Sequence, residues 1–160
     1  MAELILHLGS NLGYKDINLE LARVMISNHI GAIIKSSSVY ESEAWGVKDQ
    51  ESFLNQALII ATELEPLEVL DSIKLIESKM GRKKVLRWGP RIIDIDILFY
   101  SDDIIDIPHL KIPHTQLSNR NFVLQPLLEL CPDKLHPELG KTIRVLAEEC
   151  EDLLAVQKIE

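Results

Sequence analysis

The chain has 160 residues, 46% of them hydrophobic and 26% charged, with a formal net charge of -8. That length suits one domain burying roughly two thirds of its unfolded surface, and the acidic balance excludes a nucleic-acid binder that relies on a general basic field. Cys131 and Cys150 fit neither a CxxC metal motif nor a disulfide framework, and the start MAELILHLGS lacks both a basic n-region and the length of a membrane span, so a cytoplasmic protein with no membrane partner is expected.

Leu4 to Leu8 is predicted as a short buried strand that ends at the turn cluster Gly9-Ser-Asn-Leu-Gly13. A Gly-rich turn after a strand can cradle phosphate, but this one is neither a Walker loop nor a GxGxxG fingerprint, and a structural role is the first reading. From Asp16, a candidate N-cap, to about His29, the apolar residues Ile17, Leu21, Val24 and Met25 recur at helical spacing, and Gly31 is the stop. Ala32 to Tyr40 and Phe53 to Glu63 are β-rich. The connection between them, Glu41 to Ser52, is longer than a hairpin needs and carries Trp45 beside Gly46, which suits either a binding loop or a loop that Trp45 pins. Asn55 lies in an otherwise apolar strand. A buried amide has to find partners, so it is a structural bridge or a reader of a polar ring.

Pro66 opens a helix to Met80 with Leu67, Leu70, Ile73, Leu75 and Ile76 on its apolar side, and Gly81 ends it. Arg82, Lys83, Lys84, Arg87 and Arg91 then crowd around Trp88, ahead of the alternating run Ile93-Asp-Ile-Asp-Ile-Leu98. On a strand, Asp94 and Asp96 share one face and Ile93, Ile95 and Ile97 the other. Adjacent carboxylates repel unless a cation sits between them, and their oxygens suit a hard ion such as Mg²⁺. Each half is ordinary alone, as a solvated strand face or a solvated loop. Side by side, cations that favour phosphate and carboxylates that favour metal match a metal-nucleotide complex.

The order strand, helix, strand, strand, helix, strand predicts an α+β, ferredoxin-like βαββαβ sandwich with additional C-terminal elements, its helices on one face and the other face left for a ligand. After Tyr100 come a turn and short extended pieces interrupted by Pro108 and Pro113, then His114, a loop entering a short helix over Arg120 to Glu129, and an amphipathic helix over Lys141 to Glu149. The five histidines form no HxxxH-type set, so no zinc site is expected. No repeat, low-complexity tract or linker interrupts residues 1–160, read as a single domain.

Together, Gly9-Ser-Asn-Leu-Gly13, Phe53-x-Asn55, Glu77 with Gly81-Arg82, Arg87-Trp-Gly-Pro-Arg-x-Ile-Asp-Ile-Asp-Ile-Leu98, and Pro113-His114 with Arg120-x-Phe-Val-Leu124 resemble the 6-hydroxymethyl-7,8-dihydropterin pyrophosphokinases of folate biosynthesis, in order from about Ile5 to Glu129. The resemblance implies transfer of the β,γ-pyrophosphate of ATP to the pterin's hydroxymethyl group, with release of AMP, by a monomer. It implies Arg82, Arg91, Asp94 and Asp96 as catalytic residues, with two Mg²⁺ ions on Asp94 and Asp96. Lys74, Glu77, Lys83, Lys84, Trp88, His114 and Arg120 are implied at ATP, and Ser42, Glu43, Ala44, Trp45, Phe53, Asn55 and Phe122 at the pterin. The loop from Arg82 to Arg87 is one residue shorter than the family pattern, which leaves Lys83 and Lys84 as alternatives for one cationic role. Ser-Glu-Ala stands at 42–44 where Thr-Pro-Pro is familiar, and Lys74, His109 and Lys111 differ from the side chains usual at ATP-touching positions. The family also implies that loops around residues 45 and 83 close over ATP, with Gly46, Gly81 and Gly89 as hinges.

Overall fold

The structure, a computed structural model, describes residues 1–44, 50–81 and 91–159. In chain order the elements are β1 (Ala2–Ser10), α1 (Lys15–His29), β2 (Gly31–Ser36), β3 (Tyr40–Ser42), β4 (Phe53–Thr62), α2 (Pro66–Lys79), β5 (Asp94–Tyr100), β6 (Ile105–Ile107), β7 (Leu110–Ile112), α3 (Asn121–Leu130), α4 (Ile143–Glu149) and β8 (Val156–Lys158), with a 3₁₀ turn over Leu117–Asn119. The main sheet is antiparallel and runs β5-β1-β4-β3-β8, with β2 also on β4. β6 and β7 form a separate hairpin. No helix among the described residues is long and apolar enough to cross a membrane.

β1, between β5 and β4, carries apolar residues on both faces. Leu4, Leu6 and Leu8 join a core with α1 and α2, whereas Ile5 joins Ala57, Ile59 and residues of α3 and α4 in a second core on the opposite face. The expectation of helices on one face is therefore corrected. Val123, Leu124 and Leu127 of α3, with Ile143 and Leu146 of α4, form apolar stripes that need burial, and they take one end of the second face. Its other end, around Asn55 and Asp94, stays open as a cleft.

The β1–β5 register steps over Leu98, from Ile5 opposite Phe99 to Leu6 opposite Ile97. This bulge lets Leu98 and Phe99 both pack into the second core while Tyr100 returns to the first. β5 thus keeps its acids on the open face without losing the aromatic anchor behind them.

Several local expectations change. α1 starts at Lys15, with Tyr14 at the N-cap position and no side-chain cap; Asp16 sits in the first turn, where its charge suits the helix dipole. Its buried stripe is Leu19, Ala22 and Ile26, and Ile17, Leu21 and Val24 face outward. In α2 the buried residues are Val69, Ile73, Ile76 and Glu77, and Leu67 and Leu75 are exposed. Pro66 opens α2 as read from sequence, reinforced by a reciprocal Glu65–Glu68 capping box. The strand expected over Ala32 to Tyr40 is two strands. Ser37, between them, uses its side chain to accept the Ala57 N–H.

Candidate active site

The open cleft lies where β1, β4 and β5 align one residue type per strand. Gly9 pairs with Asn55 on one side and Asp94 on the other, and His7 pairs with Ala57 and Asp96. A Cβ on Gly9 would lie 3.4 Å from Phe53 Cδ1, 3.8 Å from Asn55 Oδ1 and 3.8 Å from His7 Cε1. The missing side chain therefore keeps a hollow between an aromatic wall, an amide and an imidazole. Ser42, Glu43, Arg91, Arg120 and Phe122 complete its lining, which sets Phe53 and Phe122 as aromatic walls.

Asn55 is the structural bridge that its sequence position allowed. It is 1% exposed. Its Nδ2 donates to Ser42 Oγ at 2.7 Å and to the Tyr40 carbonyl at 3.4 Å, which ties β4 to β3. Its Oδ1 has no hydrogen-bond partner among the described residues. An amide oxygen left this way on a cleft floor is an acceptor waiting for a donor.

At the other end of the floor, Asp94 and Asp96 both line the cleft from the edge strand β5. Arg91 Nη1 lies 3.3 Å from Asp94 Oδ2, with both side chains about a fifth to a quarter exposed. No group of three or more His, Cys, Asp or Glu side chains among the described residues forms a metal cage. Two carboxylates on an open cleft nonetheless fit Mg²⁺, which keeps several waters and completes its shell with substrate phosphates rather than with protein alone.

The edge position of β5 makes Glu77 significant. Ile95, the residue between the two acids, has no further strand beside it in the sheet. Glu77 of α2, 7% exposed, fills that place: its Oε2 accepts the Ile95 N–H at 2.9 Å. The spacing of the two carboxylates is thus fastened from behind by a buried side chain.

Asn11, in the turn cluster read first as structural, joins two segments. Its Oδ1 accepts the Arg91 N–H at 2.7 Å, and its own N–H donates to the Arg91 carbonyl at 3.0 Å. Its Nδ2 donates to Gln50 Oε1 at 3.0 Å and to the Glu51 carbonyl at 3.3 Å.

His114 and Arg120 follow the β6–β7 hairpin. The His114 N–H donates to the Leu98 carbonyl at 3.1 Å, which seats the residue beside the bulge. Its Nδ1 accepts the Gln116 N–H. Burial first, then the nearby Arg120 charge, hold its pKa down at about 4 against the opposing pull of Asp94. A neutral ring accepting at Nδ1 donates from Nε2, the polarity a phosphate oxygen requires. The Arg120 guanidinium lies 5.8 Å from the Phe122 ring centre, which sets a fixed cation beside the aromatic wall.

A second cleft shares Asp96 with the first. Leu70 and Ile73 of α2, Ile97 of β5, and His109, Lys111 and His114 line it. The two clefts meet at one carboxylate, as a reaction between two substrates requires. Of the other residues singled out from sequence, Lys74 is exposed on α2 and Ala44 half-buried after β3, and neither lines either cleft. Arg82, Lys83, Lys84, Trp88 and Trp45, and the hinge glycines Gly46 and Gly89, lie outside the described residues. Gly81 has φ +87° at the end of α2.

Sequence reasoning passed over His7 and did not give Gly9 its place in the floor. The signal was present: in Ile5-Leu-His-Leu-Gly9 the two non-aliphatic residues fall two apart, on the same strand face.

Comparison with known proteins places this geometry in context. The sequence model of the family described as 7,8-dihydro-6-hydroxymethylpterin-pyrophosphokinase (HPPK) matches residues 5–132. A 2-amino-4-hydroxy-6-hydroxymethyldihydropteridine pyrophosphokinase of Aquifex aeolicus is 44% identical over 144 residues, 90% of this chain and 89% of that one. The enzyme of the same description from Bacillus subtilis is 41% identical over 125 residues, 78% of this chain and 75% of its own length. Among solved structures, the wild-type HPPK-DHPS of Plasmodium falciparum with pteroate superposes with a TM-score of 0.76 at 20% identity, over 92% of this chain and 42% of that one. That last likeness is one of fold, and the chain spans less than half the length of the P. falciparum protein.

Proposed function

The chain belongs to the 7,8-dihydro-6-hydroxymethylpterin-pyrophosphokinase family, and from that premise we propose how its residues divide the work. The reaction transfers pyrophosphate from ATP to the hydroxymethyl group of 6-hydroxymethyl-7,8-dihydropterin, giving the pterin diphosphate and AMP in folate biosynthesis. The hydroxyl oxygen bonds to the β-phosphorus, the bridge to the α-phosphate breaks with AMP leaving, and the hydroxyl proton is lost. The protein's tasks are alignment and neutralisation of charge on the phosphates.

In this reading the pterin lies between Phe53 and Phe122, with its polar edge on Asn55 and on groups from Ser42 to Trp45. The nucleotide takes the second cleft, beside Lys74 and Glu77. Arg91, Arg120 and His114 hold its phosphates, joined by Arg82, by Lys83 or Lys84, and by Trp88. Asp94 and Asp96 would hold two Mg²⁺ ions. Bound there, Mg²⁺ would supply charge neutralisation on the phosphates and lower the pKa of the attacking hydroxyl. Arg91, in contact with Asp94, orients that carboxylate, and the aromatic walls exclude water that would otherwise hydrolyse ATP.

The observation that carries this reading is that an aromatic-walled cleft, whose Asn55 amide oxygen has no partner among the described residues, meets a second cleft beside α2 at Asp96, with Asp94 next to it in the first cleft. A ferredoxin-like sandwich with C-terminal additions, acting as a single-domain cytoplasmic monomer, completes the proposal; the order β5-β1-β4-β2 supports its fold. Incubation with ATP, Mg²⁺ and the pterin alcohol is expected to release AMP and no ADP. ADP would indicate an ordinary kinase, and ATP binding without product a regulatory module. Asp96→Ala should abolish Mg²⁺-dependent turnover with the fold intact by circular dichroism, and near-normal AMP release from that variant would refute the metal role.

A further inference from the structure

His7 is 3% exposed on the floor of the first cleft, yet the mechanism above gives it no task. Its surroundings define the state of its ring. Pro126 sits inside α3 four residues after Phe122 and has no N–H to return to the Phe122 carbonyl. The His7 imidazole hydrogen-bonds the Phe122 backbone instead. That bond falls on Nδ1, because Nε2 has no hydrogen-bond partner among the described residues. Burial first, then the charges of His114 and Arg120, hold the pKa down at about 3, against the Phe122 bond. The ring is therefore neutral, with its proton on Nδ1 and a lone pair on buried Nε2.

Two buried acceptors on residues that line this hollow, Asn55 Oδ1 and His7 Nε2, have no hydrogen-bond donor among the described residues. Gly9 lies between them, with His7 Cε1, the carbon next to Nε2, 3.8 Å from where a Cβ would stand. Register separates their tasks. Asn55 pairs with Gly9 on the β3 side of the floor, and His7 pairs with Asp96 on the acidic side. A ligand lying across the floor from Asn55 to the carboxylates brings its reacting end to His7.

We propose that His7 Nε2 accepts a hydrogen bond from the hydroxyl of the substrate's hydroxymethyl group, which makes His7 a substrate-binding residue that selects for that hydroxyl and fixes its rotation. The inference rests on the pterin reading of the cleft. Among donors on such a ligand, the hydroxyl is the one at the reacting end. An acceptor that fixes the O–H direction turns an oxygen lone pair away from the floor, toward the nucleotide side. A site with a buried acceptor also penalises a ligand that leaves it empty, which is the strongest form of small-group discrimination.

The test compares dissociation constants for 6-hydroxymethylpterin and 6-methylpterin, measured with α,β-methylene-ATP and Mg²⁺ present so that no turnover occurs. The wild type is expected to prefer the hydroxymethyl compound by roughly tenfold. In His7→Phe, which keeps an aromatic ring and removes the acceptor, the preference should fall to about twofold or less, and His7→Gln should restore part of it. In the wild type, the Nε2 nitrogen resonance should shift on binding the hydroxymethyl compound and not the methyl compound, a readout that needs no variant to fold. An equal preference in wild type and His7→Phe, or an Nε2 resonance indifferent to the hydroxyl, overturns the proposal while leaving pterin binding intact. Failure of the wild type to bind either pterin overturns the reading of the cleft itself, and this inference with it.

Discussion

At the scale of single residues, the two ends of the Asn55 amide can be tested apart by substitution. Its Nδ2 braces β3 through Ser42 and Tyr40, and its Oδ1 has no hydrogen-bond partner among the described residues. Asn55→Ala removes both and should cost about 1–3 kcal/mol of stability along with a pterin affinity lowered roughly tenfold or more. Ser42→Ala removes only one bracing partner. It should cost about 1 kcal/mol and change pterin affinity by less than roughly threefold. Denaturant titration read beside fluorescence titration distinguishes the two outcomes. The chemistry of Asn55 was legible in sequence because an amide inside an apolar strand demands explanation. His7 was not, because a single imidazole between two leucines reads equally well as core, and only the Pro126-freed carbonyl and the Gly9 hollow show which way its ring is used.

At the scale of elements, β5 carries the acids and α2 holds β5 in place. Glu77→Ala leaves the Ile95 N–H buried without its acceptor, at a cost of about 1–3 kcal/mol, and frees the strand that spaces Asp94 from Asp96. The Mg²⁺ concentration for half-maximal turnover should rise severalfold, with the pterin KM changed less. Glu77→Gln keeps an acceptor oxygen and should behave close to wild type in both respects. An unchanged Mg²⁺ requirement in Glu77→Ala would show that the bond stabilises the fold without tuning the acids. The β5 strand was legible because strict alternation of Ile and Asp has one reading on a pleated sheet. The face of α1 was not: Ile17, Leu21 and Val24 make as good a stripe as Leu19, Ala22 and Ile26, and only packing against β1, β2 and β4 selects the second. β8 was invisible because Val156–Lys158 is too short to announce itself. Its pairing with β3 makes it a strand.

At the scale of the whole molecule, buried imidazoles set the response to acid. His7, His114 and His136 all have pKa values below the ordinary 6.5, in each case chiefly through burial. Above pH 6.5 these rings are neutral in both folded and unfolded chains and favour neither. As pH falls below 6.5 the unfolded chain takes up protons that the folded one refuses, so stability declines until the folded pKa values are reached. For His7 alone, with a folded value of about 3, the loss approaches the order of 5 kcal/mol. The urea midpoint should therefore fall steadily from pH 6.5 toward pH 4, and His7→Phe should flatten that slope. An identical slope in both proteins would mean that His7 opens to water before it titrates.

Asn11 gives the molecule a property that neither cleft has alone. One side-chain amide touches Gln50 and Glu51, on the approach to the aromatic wall of β4, and also Arg91, at the threshold of the acids. A displacement on either approach is expected to reach the other through that amide. Synergy between nucleotide and heterocycle would then need no relay through the sheet, since both halves of the site lean on a common post.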